Sequence, residues 1–125
     1  MIVKKISFPI PLTDVEDIYD DNVDVFVDLE NGRSYTVVVG TYKNIISLMD
    51  KEKSNFLPPG EPMIIVTKLT TEVIQEAIQA YAEHADGYWL KLHHFASSIG
   101  LDGFDKLQKY QDEEDIKFDK ELNNL

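Results

Sequence analysis

The most constraining feature of this sequence is a pair of β-prone runs that flank the dipeptide Asn31-Gly32. Residues 23–29 read Val-Asp-Val-Phe-Val-Asp-Leu, and residues 33–39 read Arg-Ser-Tyr-Thr-Val-Val-Val. An Asn-Gly dipeptide between two such runs is typical of a β-hairpin. The sequence therefore predicts an antiparallel strand pair within residues 23–39.

The length of the turn decides which side chains share a face of this hairpin. A two-residue turn would divide the apolar side chains between both faces. A three-residue turn, with Gly32 left-handed in a bulge, collects them on one face. The expected pairs are then Val23 with Val39, Val25 with Val37, Val27 with Tyr35, and Leu29 with Arg33. A mostly polar outer face remains, which carries Asp24, Phe26, Asp28, Ser34, Thr36 and Val38. We expect this second register, because half-exposed antiparallel sheets have one apolar and one polar face.

Proline positions and hydrophobic periodicity predict the elements around the hairpin. A first strand is expected at residues 3–8, because two prolines follow it closely. A short helix is expected over residues 42–53. The loop at 56–62 contains three prolines and is therefore rigid, and an apolar strand at 63–66 follows it. The exposed apolar groups of this loop suit either a contact point or a seal over the end of the sheet.

The second half of the chain begins with the strongest helical pattern. Thr70 or Thr71 is expected to cap this helix, and Asp86-Gly87 to end it. Residues 88–95 suit either a helix or a strand. Their alternating, aromatic character favours a strand with Leu90 and Leu92 directed inward.

The charged carboxyl-terminal part predicts a last helix from residue 102 onward, with fraying at 123–125. A thin stripe of residues at helical spacing, apolar except for Gln111, is expected to dock this helix on the domain. The stripe consists of Phe104, Leu107, Gln111, Phe118 and Leu122.

Together these elements predict one α+β domain spanning residues 1–125, in the order β-β-β-α-β-α-β-α. The two helix-containing connections are long enough for right-handed parallel crossovers, as in α/β proteins. We expect a mixed sheet of four to five strands, about three helices, and the antiparallel hairpin at 23–39 toward an edge.

Several kinds of chemistry lack the residues that they need. The chain contains no cysteine, which excludes disulfides, thiol nucleophiles and thiolate metal sites. Its glycines and serines form neither a phosphate-binding loop nor a nucleophile elbow. Asp20, Asn22 and Asp24 fit the first ligands of a calcium loop, but Val25 and Asn31 stand where glycine and glutamate are needed. The sequence therefore predicts no catalytic residue, cofactor or metal.

The charge balance favours a protein partner over nucleic acid or membrane. The chain carries 12 basic and 23 acidic residues, a net charge of −11, and its basic residues are scattered. Phosphate backbones and anionic lipids repel such a surface. We find neither a signal-peptide pattern nor a long apolar run and expect a cytoplasmic protein.

The acidic residues concentrate in one segment. Between residues 14 and 30 there are eight acids and no lysine or arginine. This density favours a contact surface for a basic protein, although a solvated loop and sheet edge would have the same composition. Phe26 is the candidate anchor, since it is a bulky apolar side chain among acids. The candidate partner-binding residues are Asp14, Glu16, Asp17, Asp20, Asp21, Asp24, Phe26 and Asp28.

A second candidate site lies near the histidines. If residues 88–95 form a strand, Trp89, Lys91 and His93 share one face and line a small pocket together with the 56–62 loop. In the alternative arrangement a helix covers Trp89, and His93 lies at the exposed end of the strand.

In size and acidity the chain is similar to the small cytoplasmic inhibitors that bacteria keep against their own toxins. This resemblance concerns bulk properties and implies an immunity-type inhibitor of a basic, nuclease-like partner. The leading hypothesis is therefore a non-catalytic acidic protein-binding domain. The alternatives are a small enzyme or ligand-binding domain with a pocket near Trp89 and His93, and a homodimer that pairs through an edge strand.

Overall fold

The computed structural model describes residues 1–124, with the side chain of Ser97 excepted. It contains four β-strands and four α-helices in that range. Two short 3-10 helices lie at Leu12–Asp14 and His84–Gly87. The main elements are β1 (Val3–Ser7), β2 (Asn22–Leu29), β3 (Ser34–Thr41), α1 (Tyr42–Glu52), β4 (Met63–Val66), α2 (Thr71–Glu83), α3 (Tyr88–Ser98) and α4 (Leu101–Asn123).

The strands form one mixed sheet in the order β1-β2-β3-β4. The pairs β1–β2 and β2–β3 are antiparallel, while β3 and β4 are parallel and joined by the crossover helix α1. The predicted α+β fold with a mixed sheet is therefore confirmed. The expected edge position of the hairpin is wrong, because β2 and β3 are the two central strands and β1 and β4 form the edges. Four strands are present among the described residues, which is the lower of the two numbers expected.

The predicted register of the hairpin is confirmed. Val25 pairs with Val37, and Val27 pairs with Tyr35. Gly32 has φ of +85°, and its N–H donates to the carbonyl of Leu29 over 3.1 Å. Glycine adopts this left-handed conformation without a steric penalty, which explains why the three-residue turn forms here.

The hydrophobic core lies between one face of the sheet and helices α2 and α3. Thr70 caps α2 by accepting a hydrogen bond from the N–H of Val73, as the sequence predicted. Ile74 and Ile78 of α2 are fully buried, and so is Leu90 of α3. The other core residues are Val25, Val27, Leu29, Tyr35, Val37, Val39, Ile64, Val66, Leu69 and Ala82.

The strand predicted at 88–95 is wrong, because these residues belong to helix α3. Ala85, Asp86 and Gly87 all have positive φ and turn the chain sharply after α2. Leu90 then enters the core from a helix. The element order is therefore β-β-β-α-β-α-α-α. Leu92, expected to point inward, is 43% exposed.

His94 shows why a helix suits this position. β4 pairs with β3 only from Val38 onward, so the backbone of Thr36 faces no strand on that side. The N–H of Thr36 donates to Nδ1 of His94 over 3.0 Å, and the imidazole stacks on Tyr35 at 4.6 Å between ring centroids. α3 thus covers an edge that would otherwise be unprotected.

The predicted docking of the last helix is also wrong. Leucines and phenylalanines of the expected stripe, including Phe104 and Phe118, are 51–59% exposed, and no described side chain of α4 is buried. Gln111 is likewise exposed. The predicted helix itself is confirmed. Fraying was expected at residues 123–125, and of these Asn123 is the last residue of α4, while Leu125 lies outside the described residues.

Candidate protein-binding surface

The outer face of the hairpin presents one aromatic side chain among carboxylates. Phe26 lies on β2 between Asp24 and Asp28 and is 40% exposed. The hydroxyl of Ser34 donates to Oδ1 of Asp28 over 2.7 Å, which fixes that carboxylate in position. Because alternate residues of a strand share a face, all three β2 side chains point away from the core.

The segment before β2 is attached to the domain through its apolar residues. Leu12, Val15 and Ile18 recur at every third position, and each packs against the core. The N–H of Leu69 also donates to the carbonyl of Ile18 over 2.8 Å. The acids between these anchors are consequently left on the surface.

This attachment brings three of the predicted acidic residues to one cleft of about 300 Å³. β1 ends at Ser7 opposite Phe26, so the chain leaves the sheet beside the start of β2. We call the result the acidic cleft; its carboxylates come from Asp14, Asp21 and Asp24, and its apolar wall comes from Pro9, Ile10 and Val15. Ile10 is 63% exposed, so the apolar wall is open to solvent.

Asp20 serves a different purpose from its neighbours. Its Oδ2 accepts a hydrogen bond from the Ser47 hydroxyl over 2.8 Å, and its Oδ1 accepts one from the Asn44 amide over 3.2 Å. These hydrogen bonds, that from Ser47 first, lower the pKa of the Asp20 carboxyl. Asp20 therefore fastens the segment to α1 instead of lining the acidic cleft.

The remaining predicted acids lie outside the cleft. Glu16 and Asp17 are exposed in the loop before β2. Oδ1 of Asp17 accepts a hydrogen bond from the N–H of Tyr19 over 3.0 Å and so supports the local turn. Neither side chain lines the acidic cleft.

The pocket predicted from Trp89, Lys91 and His93 is not assembled as expected, since α3 is a helix. Trp89 lines a mostly apolar cavity of about 450 Å³ together with Ala80, Tyr81 and His84. His93 does not line this cavity, although its ring centroid is 5.5 Å from that of Tyr81. Burial lowers the pKa of His93, and a hydrogen bond with the backbone of Pro62 opposes that effect.

Lys91 lies on another side of α3. It lines a separate cavity of about 350 Å³ together with Arg33 and Asp86. The amino group of Met1 is 2.9 Å from Oδ1 of Asp86, and this contact together with Lys91 lowers the pKa of that carboxyl. Side chains two residues apart on a helix point in nearly opposite directions. Lys91 is therefore separated from both Trp89 and His93.

The proline-rich loop projects its apolar side chains into solvent. Phe56 is 67% exposed and Leu57 is 41% exposed. Of the two arrangements considered for this loop, the structure has the exposed one. The contact of this loop with His93 is a hydrogen bond through the backbone of Pro62.

Sequence reasoning missed the apolar wall of the acidic cleft and the role of His94. In the sequence, Pro9 and Pro11 predict only the end of β1, and the exposure of Ile10 between them is known only from the structure. The spacing of Leu12, Val15 and Ile18 could have predicted that this segment lies on the core. Nothing in the sequence indicated that His94 would cover β3.

The described residues, 1–124, contain neither a candidate metal-ligand group nor a helix able to span a membrane. No three acidic or histidine side chains within that range are grouped so that they could hold a metal ion. None of the helices described there is long and apolar enough to cross a bilayer.

No protein-family model matches the chain, and neither does any curated protein or solved structure.

Proposed function

We propose that this chain is a non-catalytic binding domain that engages a basic protein through the acidic cleft and the adjacent outer face of the hairpin. The observation that carries the proposal is the convergence of Asp14, Asp21 and Asp24 on one cleft with an apolar wall. Carboxylates and apolar groups in that arrangement match both parts of a lysine or arginine side chain. The aliphatic stem packs along the wall, and the charged head binds the carboxylates.

Phe26 extends this surface along β2. It lies two residues from Asp24 on the same face, a distance of about 7 Å along a strand. An exposed aromatic group that a partner covers is typical of the residues that dominate binding energy. Phe26 would therefore supply apolar contact beside the electrostatic contact of the cleft.

The surrounding charge favours fast association. The eight acids between residues 14 and 30 attract a basic surface over a distance set by the ionic strength. Such attraction raises the rate of encounter more than it raises final affinity. An inhibitor that blocks the basic surface of a nuclease-type toxin needs an acidic surface and fast association. We therefore propose, more specifically, that the chain is an immunity-type inhibitor of such a toxin.

In the first step the tagged full chain is fixed on a column, a lysate of its own organism is applied, and the bound proteins are eluted at low and at high salt. The basic partner is then purified, and its association rate with the native chain is compared with its association rate with the variant Asp14→Asn/Asp21→Asn/Asp24→Asn. We expect an association rate reduced by about tenfold or more. The matched control is Asp102→Asn/Asp105→Asn/Asp112→Asn, which removes the same charge from α4. Equal rates for both triple variants would contradict the proposal.

A second candidate function rests on the cavity beside Trp89. Its volume of about 450 Å³ lies in the range of small-molecule sites, and aromatic groups dominate its lining. A small apolar or aromatic molecule would fit it. A thermal-shift screen of such molecules should then find compounds that raise the melting temperature of the native chain and have no effect on Trp89→Ala. Equal shifts in both proteins would contradict this function.

A further inference from the structure

Helix α4 carries an apolar surface that the domain does not cover. At 3.6 residues per turn, four apolar side chains of α4 fall on one side of the helix. We call this the apolar stripe; it consists of Phe104, Leu107, Phe118 and Leu122. Each of these side chains is more than half exposed. The stripe consists of two pairs, Phe104 with Leu107 and Phe118 with Leu122, and the polar Gln111 lies between them on the same side. Since the helix extends about 34 Å, the two pairs would contact a groove at two places along its length.

The charges of α4 are distributed unequally around this stripe. The helix contains eight acids and four lysines. All four lysines and the acids Asp102, Asp105, Asp112 and Glu113 fall on the half of the helix opposite the stripe, where they balance. The other four acids border the stripe: Glu114 and Glu121 on one side, Asp115 and Asp119 on the other. The whole excess negative charge of α4 thus borders the apolar stripe.

The acids that border the stripe make some covering surfaces unfavourable. A second copy would bring the acids beside one stripe against the acids beside the other, and Glu114 and Asp115 lie near the middle of α4 in either direction. Like charges in a closing interface are unfavourable. Anionic lipid would meet the same repulsion.

We propose that α4 is a docking helix whose apolar stripe binds an apolar groove bordered by lysine and arginine side chains on a partner protein. Amphipathic helices bind grooves in this way through anchors spaced three and four residues apart. Basic groups at the rim of the groove would pair with the acids that border the stripe. This surface is separate from the acidic cleft, and the proposal does not depend on the function proposed above.

The chain offers a closely matched control for this proposal. Phe118 on the stripe is 59% exposed, and Ile116 on the opposite half is 57% exposed. Replacing either with serine removes a similar exposed apolar side chain at nearly the same place in the helix. Circular dichroism of both variants would verify that α4 stays equally helical.

The probe is a synthetic helical peptide of leucine and lysine, as long as α4, whose leucine stripe has lysines on both sides. Binding to the native chain is followed by nuclear magnetic resonance and by titration calorimetry. We expect signal changes confined to α4, and an affinity that falls at least about tenfold in Phe118→Ser but is unchanged in Ile116→Ser. Glu114→Lys/Asp115→Lys should also weaken binding, whereas a peptide with glutamate in place of lysine should not bind.

Other occupants of the stripe give different results. Equal affinity for Phe118→Ser and Ile116→Ser would overturn the proposal, as would signal changes centred on the sheet. Sedimentation as a dimer that Phe118→Ser dissociates would identify a second copy as the occupant and overturn the proposal. Binding of the native chain, but not of Phe118→Ser, to neutral phosphatidylcholine vesicles would identify lipid and overturn the proposal as well.

Discussion

The segment from residue 14 to residue 30 and helix α4 contain the same number of acids, eight each, but different interactions position them. In the segment, tertiary structure positions the acids. Leu12, Val15 and Ile18 attach the loop to the core. The register of the sheet then directs Asp24 and Asp28 outward. In α4, helical periodicity alone places the acids, because none of its described side chains is buried.

This difference separates two ways of presenting charge. Convergent acids in a cleft need a folded domain and lose their geometry when it unfolds. Acids beside a helical stripe need only the helix, which is marginal in water without tertiary packing. α4 spans 23 residues and carries Asp102–Lys106 and Glu113–Lys117 at the favourable spacing of four, which supports a helix with few other contacts.

The largest expected difference between the two regions concerns stability. Ile78→Ala should lower the free energy of unfolding by about 2–5 kcal/mol, since Ile78 is fully buried between α2 and the sheet. Phe118→Ala should change it by less than about 0.5 kcal/mol, because its side chain is free of the core. Urea unfolding of both variants measures the difference. A loss of several kcal/mol in Phe118→Ala would mean that α4 packs on the domain in solution.

A smaller effect is expected at the start of α2. Thr70→Ala removes the hydroxyl that accepts from the N–H of Val73, and it should lower the free energy of unfolding by about 1 kcal/mol. Thr71→Ala is the control, because Thr71 is exposed in the first turn and forms no cap. Urea unfolding should distinguish the two; equal losses would show that the cap has no role.

The sheet could be predicted from sequence because its information is local. The Asn31-Gly32 turn and the alternation of apolar and polar residues on either side of it are enough to predict the register of β2 and β3. The ends of β4 and the capping residue of α2 were predicted for the same reason. The outward position of Phe26 follows from that register.

The mistakes concern residues whose structure depends on distant partners. The alternating, aromatic residues of α3 predict a strand, but Leu90 in the core and His94 covering β3 favour a helix. α4 was expected to dock because an apolar stripe usually has a partner. The acidic cleft combines residues from two segments, so its acids were predicted while its apolar wall was not.

The acids of the segment should also respond to pH where they support the fold. The pKa of Asp20 is lower in the folded chain than in the unfolded chain, chiefly through Ser47. Its stabilising contribution is therefore complete above the unfolded pKa of about 4 and is lost as the pH falls through the lower folded value. Ser47→Ala should raise the pKa of Asp20 and reduce this loss of stability.

Carboxyl carbon chemical shifts, followed by nuclear magnetic resonance as the pH is lowered, measure the pKa of Asp20 directly. Ser34→Ala is the control, since Ser34 donates to Asp28 on the outer face and leaves Asp20 untouched. An Asp20 pKa that is the same in Ser47→Ala and in the native chain would show that the hydrogen bond does not hold this carboxylate.

The smallest expected effect concerns the start of α4, which lacks a capping side chain. Gly100 occupies the N-cap position with extended backbone, φ −84° and ψ 178°, and a Cβ there would meet nothing within 4 Å. Gly100→Asp should therefore add a capping acceptor and stabilise the helix by a few tenths of a kcal/mol. Because α4 folds apart from the core, its helicity should rise while the unfolding of the domain is unchanged. Circular dichroism and urea unfolding report these two quantities separately. A parallel increase in the stability of the domain would mean that the two regions fold as one cooperative unit, and the contrast between them would then be lost.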